Sequence, residues 1–155
     1  MDRIFIDSSI FVSHCMVADE TFIHLLEKDG EIYTSPGVLE ESLYKSLLLR
    51  CEEVYKRPDK HLLKARFEKE GENFEPVLHY FNDFLKRLSD IGTLTVVPVN
   101  ASIFFLSLEC SRKFRLLPND ALIAATCKHH GIDRIATFDS DFERVDFLEI
   151  IKTRS

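Results

Sequence analysis

The sequence predicts a three-layer α/β/α protein with a mainly parallel central sheet of about five strands. Three observations predict it. Short apolar runs alternate with longer stretches of helical period, the order that gives parallel strands joined by helical crossovers. The runs are continuous rather than alternating, as in Arg3 to Ile6 (RIFI), and so suit strands covered on both faces. Capping and turn residues fall at the junctions, at Asp7-Ser8-Ser9, Ser35-Pro36, Pro98 and Gly131.

Each element follows from local chemistry. Asp7-Ser8-Ser9 ends the first strand and caps a helix beginning near Ile10. A short helix is expected over Asp19 to Lys28, closed by Asp29-Gly30, and Ile32 to Thr34 reads as the second strand. Pro36 opens the next helix, where its missing N–H costs nothing, and the helix runs through Leu39, Leu43 and Leu47 towards Tyr55 before Pro58 breaks it. Two more helices are expected, about Asp59 to Glu70 and Pro76 to Ser89; Leu78, Phe81, Phe84-Leu85 and Leu88 give the second an apolar stripe. Thr93 to Val97 is the third strand. A helix over Ala101 to Phe114 follows, with Ile103, Phe104, Leu106 and Leu108 inside. Next come a helix from Pro118-Asn119 to Gly131, a strand over Arg134 to Thr137, and a last strand within Phe147 to Ile151.

Composition limits the function classes. At 155 residues, with 45% hydrophobic and 30% charged residues, the chain is expected to be one domain over 1–155, with an extended helical segment at about 56–90. No apolar run approaches the roughly 20 residues needed to cross a bilayer, and Met1-Asp2-Arg3-Ile4 lacks the pattern of a signal peptide, so a cytoplasmic protein is expected. The four cysteines are widely spaced, which argues against a structural zinc site and favours reduced, buried thiols. A net charge of −6 does not suit a protein that grips nucleic acid with its whole surface. The charge is uneven, however: Lys45 to Lys69 is rich in Lys and Arg, and Arg112, Lys113 and Arg115 form a second basic group.

The acidic residues carry the chemistry. Ligands of parallel sheets bind beyond the carboxyl ends of the strands. Asp7 and Asp139 each follow a strand, and Asp120 and Glu41 lie in the first turns of helices expected to start at that same edge. Two unit charges about 4 Å apart repel by roughly 4 kcal/mol at an effective dielectric near 20, so such a group must protonate or bind cations. With oxygen ligands and no nearby Cys or His, Mg²⁺ or Mn²⁺ is favoured over zinc. Singly, each acid has an ordinary explanation. Asp7 and Asp120 suit helix starts, Asp141 suits a turn, and Glu41 with Lys45 is a good i, i+4 surface pair.

Four fragments together resemble a PIN domain, the fold of many metal-dependent ribonucleases, including the VapC toxins of prokaryotic toxin–antitoxin pairs. They are the strand ending at Asp7-Ser8-Ser9, then Ser35-Pro36-Gly37-Val38-Leu39-Glu40-Glu41, then Pro118-Asn119-Asp120-Ala121-Leu122-Ile123-Ala124-Ala125-Thr126, and Thr137-Phe138-Asp139-Ser140-Asp141-Phe142. They occur in family order across nearly the whole chain. The resemblance implies that Asp7, Glu41, Asp120 and Asp139 are the catalytic, metal-binding acids, with Asp141 a further acid at the rim and Ser8 and Thr137 supporting hydroxyls. Glu40 is the competing neighbour of Glu41; adjacent helix positions point about 100° apart, so only one can face the site. The resemblance further implies an Mg²⁺- or Mn²⁺-dependent endoribonuclease acting on RNA, a small antitoxin protein lying across the acidic site, and often a homodimer.

Three other readings stay open from sequence: a stand-alone RNA-processing nuclease of this fold, a non-catalytic module binding RNA or protein, and a phosphate-accepting receiver domain. The receiver needs an acidic pair after its first strand, where this chain has Asp7 followed by serines, and a Lys after its last, where Lys152 fits loosely.

Overall fold

The computed structural model describes residues 2–17, 25 and 30–151. Five parallel strands form the sheet: β1 (Asp2–Ile6), β2 (Gly30–Thr34), β3 (Leu94–Val96), β4 (Arg134–Ala136) and β5 (Glu149–Ile151). Their order is β3-β2-β1-β4-β5, and every neighbouring pair is parallel. The predicted α/β sheet is therefore present, with strand bounds shifted by a residue or two. The helices are α1 (Ser8–Val17), α2 (Pro36–Tyr55), α3 (Lys60–Lys69), α4 (Glu75–Asp90), α5 (Ala101–Phe114) and α6 (Pro118–His129). The helix expected over Asp19 to Lys28 lies outside the described residues, apart from Leu25, which is buried in the core.

Strand β1 is the middle of the sheet, and its continuous apolar run is explained by burial: Ile4, Phe5 and Ile6 are all fully enclosed. Phe5 registers with Tyr33 on one side and Ile135 on the other. The chain leaves β1 towards β2 and β3 on one side and returns to β4 and β5 on the other. A switch in direction thus falls beside β1, the place where parallel sheets open a crevice at their carboxyl edge. Two hydrogen bonds pin the strand ends there: Asp7 N–H donates to the Ala136 carbonyl at 3.1 Å, and Thr34 Oγ1 donates to the Ile6 carbonyl at 3.1 Å.

Helix α6 stops where Gly131 takes a left-handed φ of +68°, which lets Ile132 N–H reach back to the Cys127 carbonyl at 2.8 Å. That turn reverses the chain into β4, so the start of α6 lies at the carboxyl edge of the sheet. Away from the sheet, Cys51, Leu63 and Phe74 build a second small core under α2 and α3, with Tyr55 and Leu62 packed against it. The helical stretch after Pro58 thus has an apolar centre of its own.

Helix α5 departs from expectation. Its buried residues are Ile103, Ser107, Cys110 and Phe114, whereas Phe104 and Leu108, expected inside, are each 53% exposed. Its run Ile103 to Leu108 is apolar on most sides, so periodicity could not say which side faces the sheet. Small Ser107 and Cys110 face the close packing against α6, and this leaves the large side chains outside.

Candidate active site

Asp7 follows β1 directly and is 6% exposed. Its Oδ1 accepts the Ser8 N–H at 2.7 Å, and its Oδ2 accepts the Thr137 hydroxyl at 2.7 Å and the Ser9 hydroxyl at 3.5 Å. Burial raises the carboxyl above its ordinary pKa; the Thr137 and Ser8 bonds pull against that rise, and the Glu41 charge adds to it.

Asp120 occupies the first turn of α6, close to three other acids. Burial raises its carboxyl most, followed by the charge of Asp139, then that of Asp7, a hydrogen bond with Asp139, and the charge of Asp141; together they push it up to about 7. Carboxylate oxygens of Asp120, Asp139 and Asp141 lie within 4.8 Å of one another. Asp139 caps the 3-10 turn Ser140–Arg144, its Oδ1 accepting the Asp141 N–H at 2.9 Å. Thr137 joins the two halves of the pocket: its hydroxyl donates to Asp7 and accepts the Asp139 N–H at 3.0 Å.

Glu41 stands on the other wall, in the second turn of α2. Lys45 Nζ meets its Oε1 at 3.0 Å, and Asn119 Nδ2 donates to its Oε2 at 2.9 Å. Partial burial pushes this carboxyl up, but the Lys45 and Asn119 bonds outweigh it and hold the group below its ordinary value. Its neighbour Glu40 is exposed. Asp141 pairs with Arg144 at 3.1 Å, whose guanidinium also reaches the Phe114 and Arg115 carbonyls at 2.9 Å each.

The fold thus brings Asp120, Asp139 and Asp141 into one cluster, sets Asp7 beside it, and holds Glu41 on the wall by its own donors. Ser8 reaches Asp7 through its N–H, while its hydroxyl accepts from Lys45 at 3.4 Å. Sequence reasoning passed over Ser9 and Asn119, and read Lys45 only as a surface partner of Glu41. Ser9 bonds Asp7 and also accepts the Phe138 N–H at 3.1 Å, Asn119 holds Glu41, and Lys45 reaches both Glu41 and Ser8. Asn119 stands beside Asp120 in the chain, and that adjacency was the available signal.

Among the described residues ion pairs reach Glu41 and Asp141, and none reaches Asp7, Asp120 or Asp139. Partly buried carboxylates crowded together with few cations are compensated by protons or by a metal, and an all-oxygen donor set suits a hard divalent ion.

Fold and site together define a parallel α/β protein with a carboxylate pocket at the switch in its sheet. The model of the PIN domain family matches residues 4–148, and the chain belongs to that family. Two proteins of Methanocaldococcus jannaschii are similar over nearly their whole length. Ribonuclease VapC6 is 35% identical over 155 residues, covering 97% of each chain, and Ribonuclease VapC2 is 34% identical over 159 residues, covering 97% of this chain and 94% of that one. Among solved structures, VapBC2 from Rickettsia felis bound to a promoter DNA fragment superposes with a TM-score of 0.60 at 21% identity, covering 96% of this chain and 97% of that one. Mycobacterium tuberculosis VapC20, a toxin cleaving the sarcin-ricin loop, gives 0.57 at 20% identity, covering 94% and 96%. These two support the fold.

Proposed function

We propose that this chain is a divalent-metal-dependent endoribonuclease, the toxin of a VapBC-type toxin–antitoxin pair, with Mg²⁺ or Mn²⁺ as cofactor. The observation that carries the reading is the convergence of Asp120 and Asp139 beside Asp7, with no ion pair to any of the three among the described residues. The similarity over full length to proteins named as VapC ribonucleases supports it.

Asp7, Glu41, Asp120 and Asp139 would hold the ion, directly or through water, with Asp141 at the rim. Bound there, such an ion would offset charge on a phosphoryl oxygen and lower the cost of deprotonating a water. The chain's own residues do the rest. Thr137 and Ser9 fix the orientation of Asp7, and Asp139 is fixed through its own N–H bond to Thr137. Burial and the neighbouring acids push the Asp120 carboxyl up to about 7, so a proton and a bound cation would compete for it near neutral pH. Lys60, His61 and Lys64 line a groove of about 680 Å³ with Tyr44 and Phe67, and would orient the RNA backbone without reading bases.

An antitoxin segment lying across the acids would silence the site. A homodimer is the favoured assembly, because α5 and the turn after it expose Phe104, Phe105, Leu108 and Leu117, the last at 78%. Sedimentation of the purified chain should give a dimer that Phe105→Glu dissociates; a monomeric wild type would remove this part.

Cleavage of a mixed set of structured RNAs in Mg²⁺, Mn²⁺ or EDTA tests the nuclease. Cutting that needs the metal and vanishes in Asp7→Asn is expected. Cutting that persists in EDTA, or full activity in Asp7→Asn, would contradict it.

A further inference from the structure

Glu41 presents a conflict. Each of its oxygens keeps a lone pair that could serve a divalent ion, but Oε1 already holds the Lys45 ammonium at 3.0 Å and Oε2 the Asn119 amide at 2.9 Å, and Glu41 is not among the acids whose oxygens already converge. The two donors respond differently to a cation placed beside them. Asn119 is neutral and tolerates a nearby cation, whereas the ammonium of Lys45 is repelled by it. Lys45 is also free to leave: its side chain is 48% exposed on a flexible stem, held otherwise only by a long 3.4 Å contact to Ser8 Oγ.

We infer that Lys45 is the resident counter-ion of the metal-free site, that a divalent cation displaces it from Glu41, and that the released ammonium then takes a phosphate of the RNA at the pocket's lip. The inference rests on the nuclease reading above. It assigns Lys45 two successive partners, first the carboxylate and then the substrate. The ordinary surface role of an i, i+4 pair is one half of this exchange. With the pair intact the metal-free pocket has one wall neutralised; with it broken, the same charge serves binding. Lysine suits this better than arginine, since a point charge on a rotatable stem releases a carboxylate more readily than a forked guanidinium.

Calorimetric titration with Mn²⁺ of the wild type, Lys45→Met and Lys45→Arg tests this. Removing the competitor should tighten Mn²⁺ binding by roughly threefold or more in Lys45→Met, the scale set by one partly exposed pair, and Lys45→Arg should weaken it. In cleavage assays saturated with metal, Lys45→Met should raise KM for RNA severalfold with a smaller change in kcat. A pair of purely structural value would lower the thermal midpoint of Lys45→Met and leave Mn²⁺ affinity where it was. Unchanged or weaker Mn²⁺ binding in Lys45→Met, with clear binding by the wild type, would overturn the exchange alone. No Mn²⁺ binding by the wild type would overturn the metal-site reading beneath it.

Discussion

Asp59 and Asp120 both stand at the start of a helix, α3 and α6, and their carboxyls are driven in opposite directions. Asp59 caps its helix, accepting the His61 N–H at 2.7 Å and the Leu62 N–H at 3.2 Å, with Arg57 3.2 Å away. The Leu62 and His61 bonds hold it below its ordinary value. Asp120 instead lies among acids, and burial and its neighbours push it up to about 7. The contrast extends to their surroundings. In the helical arm made by the end of α2, α3 and the turn that follows it, Tyr55 donates to Glu70 at 2.7 Å, Arg66 pairs with Glu70 at 3.3 Å, and Arg50 binds both Glu53 and the Asn73 carbonyl. The chain has 20 Lys and Arg and pairs them readily there. That no ion pair reaches Asp7, Asp120 or Asp139 among the described residues is therefore a property of that pocket and no general shortage. Carboxylates in the arm stabilise a fold; carboxylates in the pocket lie poised for something else.

The sharpest way to break this contrast is to remove one charge from each side. Asp120→Asn should abolish RNA cleavage, by about 10³-fold or more, since in the proposed site it removes a metal ligand. Its circular dichroism should match the wild type, and its metal-free thermal midpoint should equal or exceed the wild-type value near neutral pH. Full activity would place Asp120 with Asp59 as a structural residue.

Thr137→Val keeps the shape and removes the hydroxyl that bridges Asp7 and Asp139. Loss of such a supporting bond should lower metal affinity or cleavage by roughly 10- to 100-fold, measured by Mn²⁺ titration and initial rates. An effect below twofold would make Thr137 a packing residue.

The opposite pKa shifts predict opposite pH limbs. Asp120 is raised in the folded state, so the fold keeps a proton that the unfolded chain releases. Its contribution is fully present below the ordinary pKa of 3.8 and is lost as pH rises towards about 7. Asp7 shifts in the same sense. Metal-free stability should accordingly fall across that window, Asp120→Asn should flatten the fall, and Mn²⁺ affinity of the wild type should drop by up to about tenfold per pH unit below 7. Asp59 and Glu41 are lowered, so their contributions hold above the ordinary carboxylate pKa and are lost on acidification. Thermal melts from pH 3 to pH 8 in EDTA, roughly the range over which carboxylates titrate, separate the two limbs.

Asp59→Ala is the smallest change expected. It deletes a helix cap in the arm and should lower the thermal midpoint by a few degrees while cleavage per folded molecule stays at the wild-type rate. A large loss of cleavage would tie the arm to the chemistry.

Much of this contrast was legible in the sequence, and the exceptions share a cause. The continuous apolar runs at Arg3 to Ile6 and Arg134 to Thr137 announced buried parallel strands because nothing polar interrupts them. Asp7 and Asp139 could be placed at one edge because each ends such a run. Which side of α5 faces inward was not legible, because Phe104 and Leu108 are as apolar as Ile103 and only the close approach of α6 selects small Ser107 and Cys110. Nor was the hold on Glu41 by Asn119, which joins residues 78 positions apart and depends on how α2 and α6 meet. The Glu41–Lys45 pair was visible from spacing, but its place on the pocket wall was not. Local pattern fixes elements and ends; contacts between helices are decided by side-chain size.

The most direct test of the central contrast is a calorimetric Mn²⁺ titration at pH 8, above the raised Asp120 pKa, of the wild type, Asp120→Asn and Asp59→Asn. The wild type and Asp59→Asn should bind alike, and Asp120→Asn should bind far more weakly or not at all. Equal binding by all three would contradict the assignment of the pocket as a metal centre.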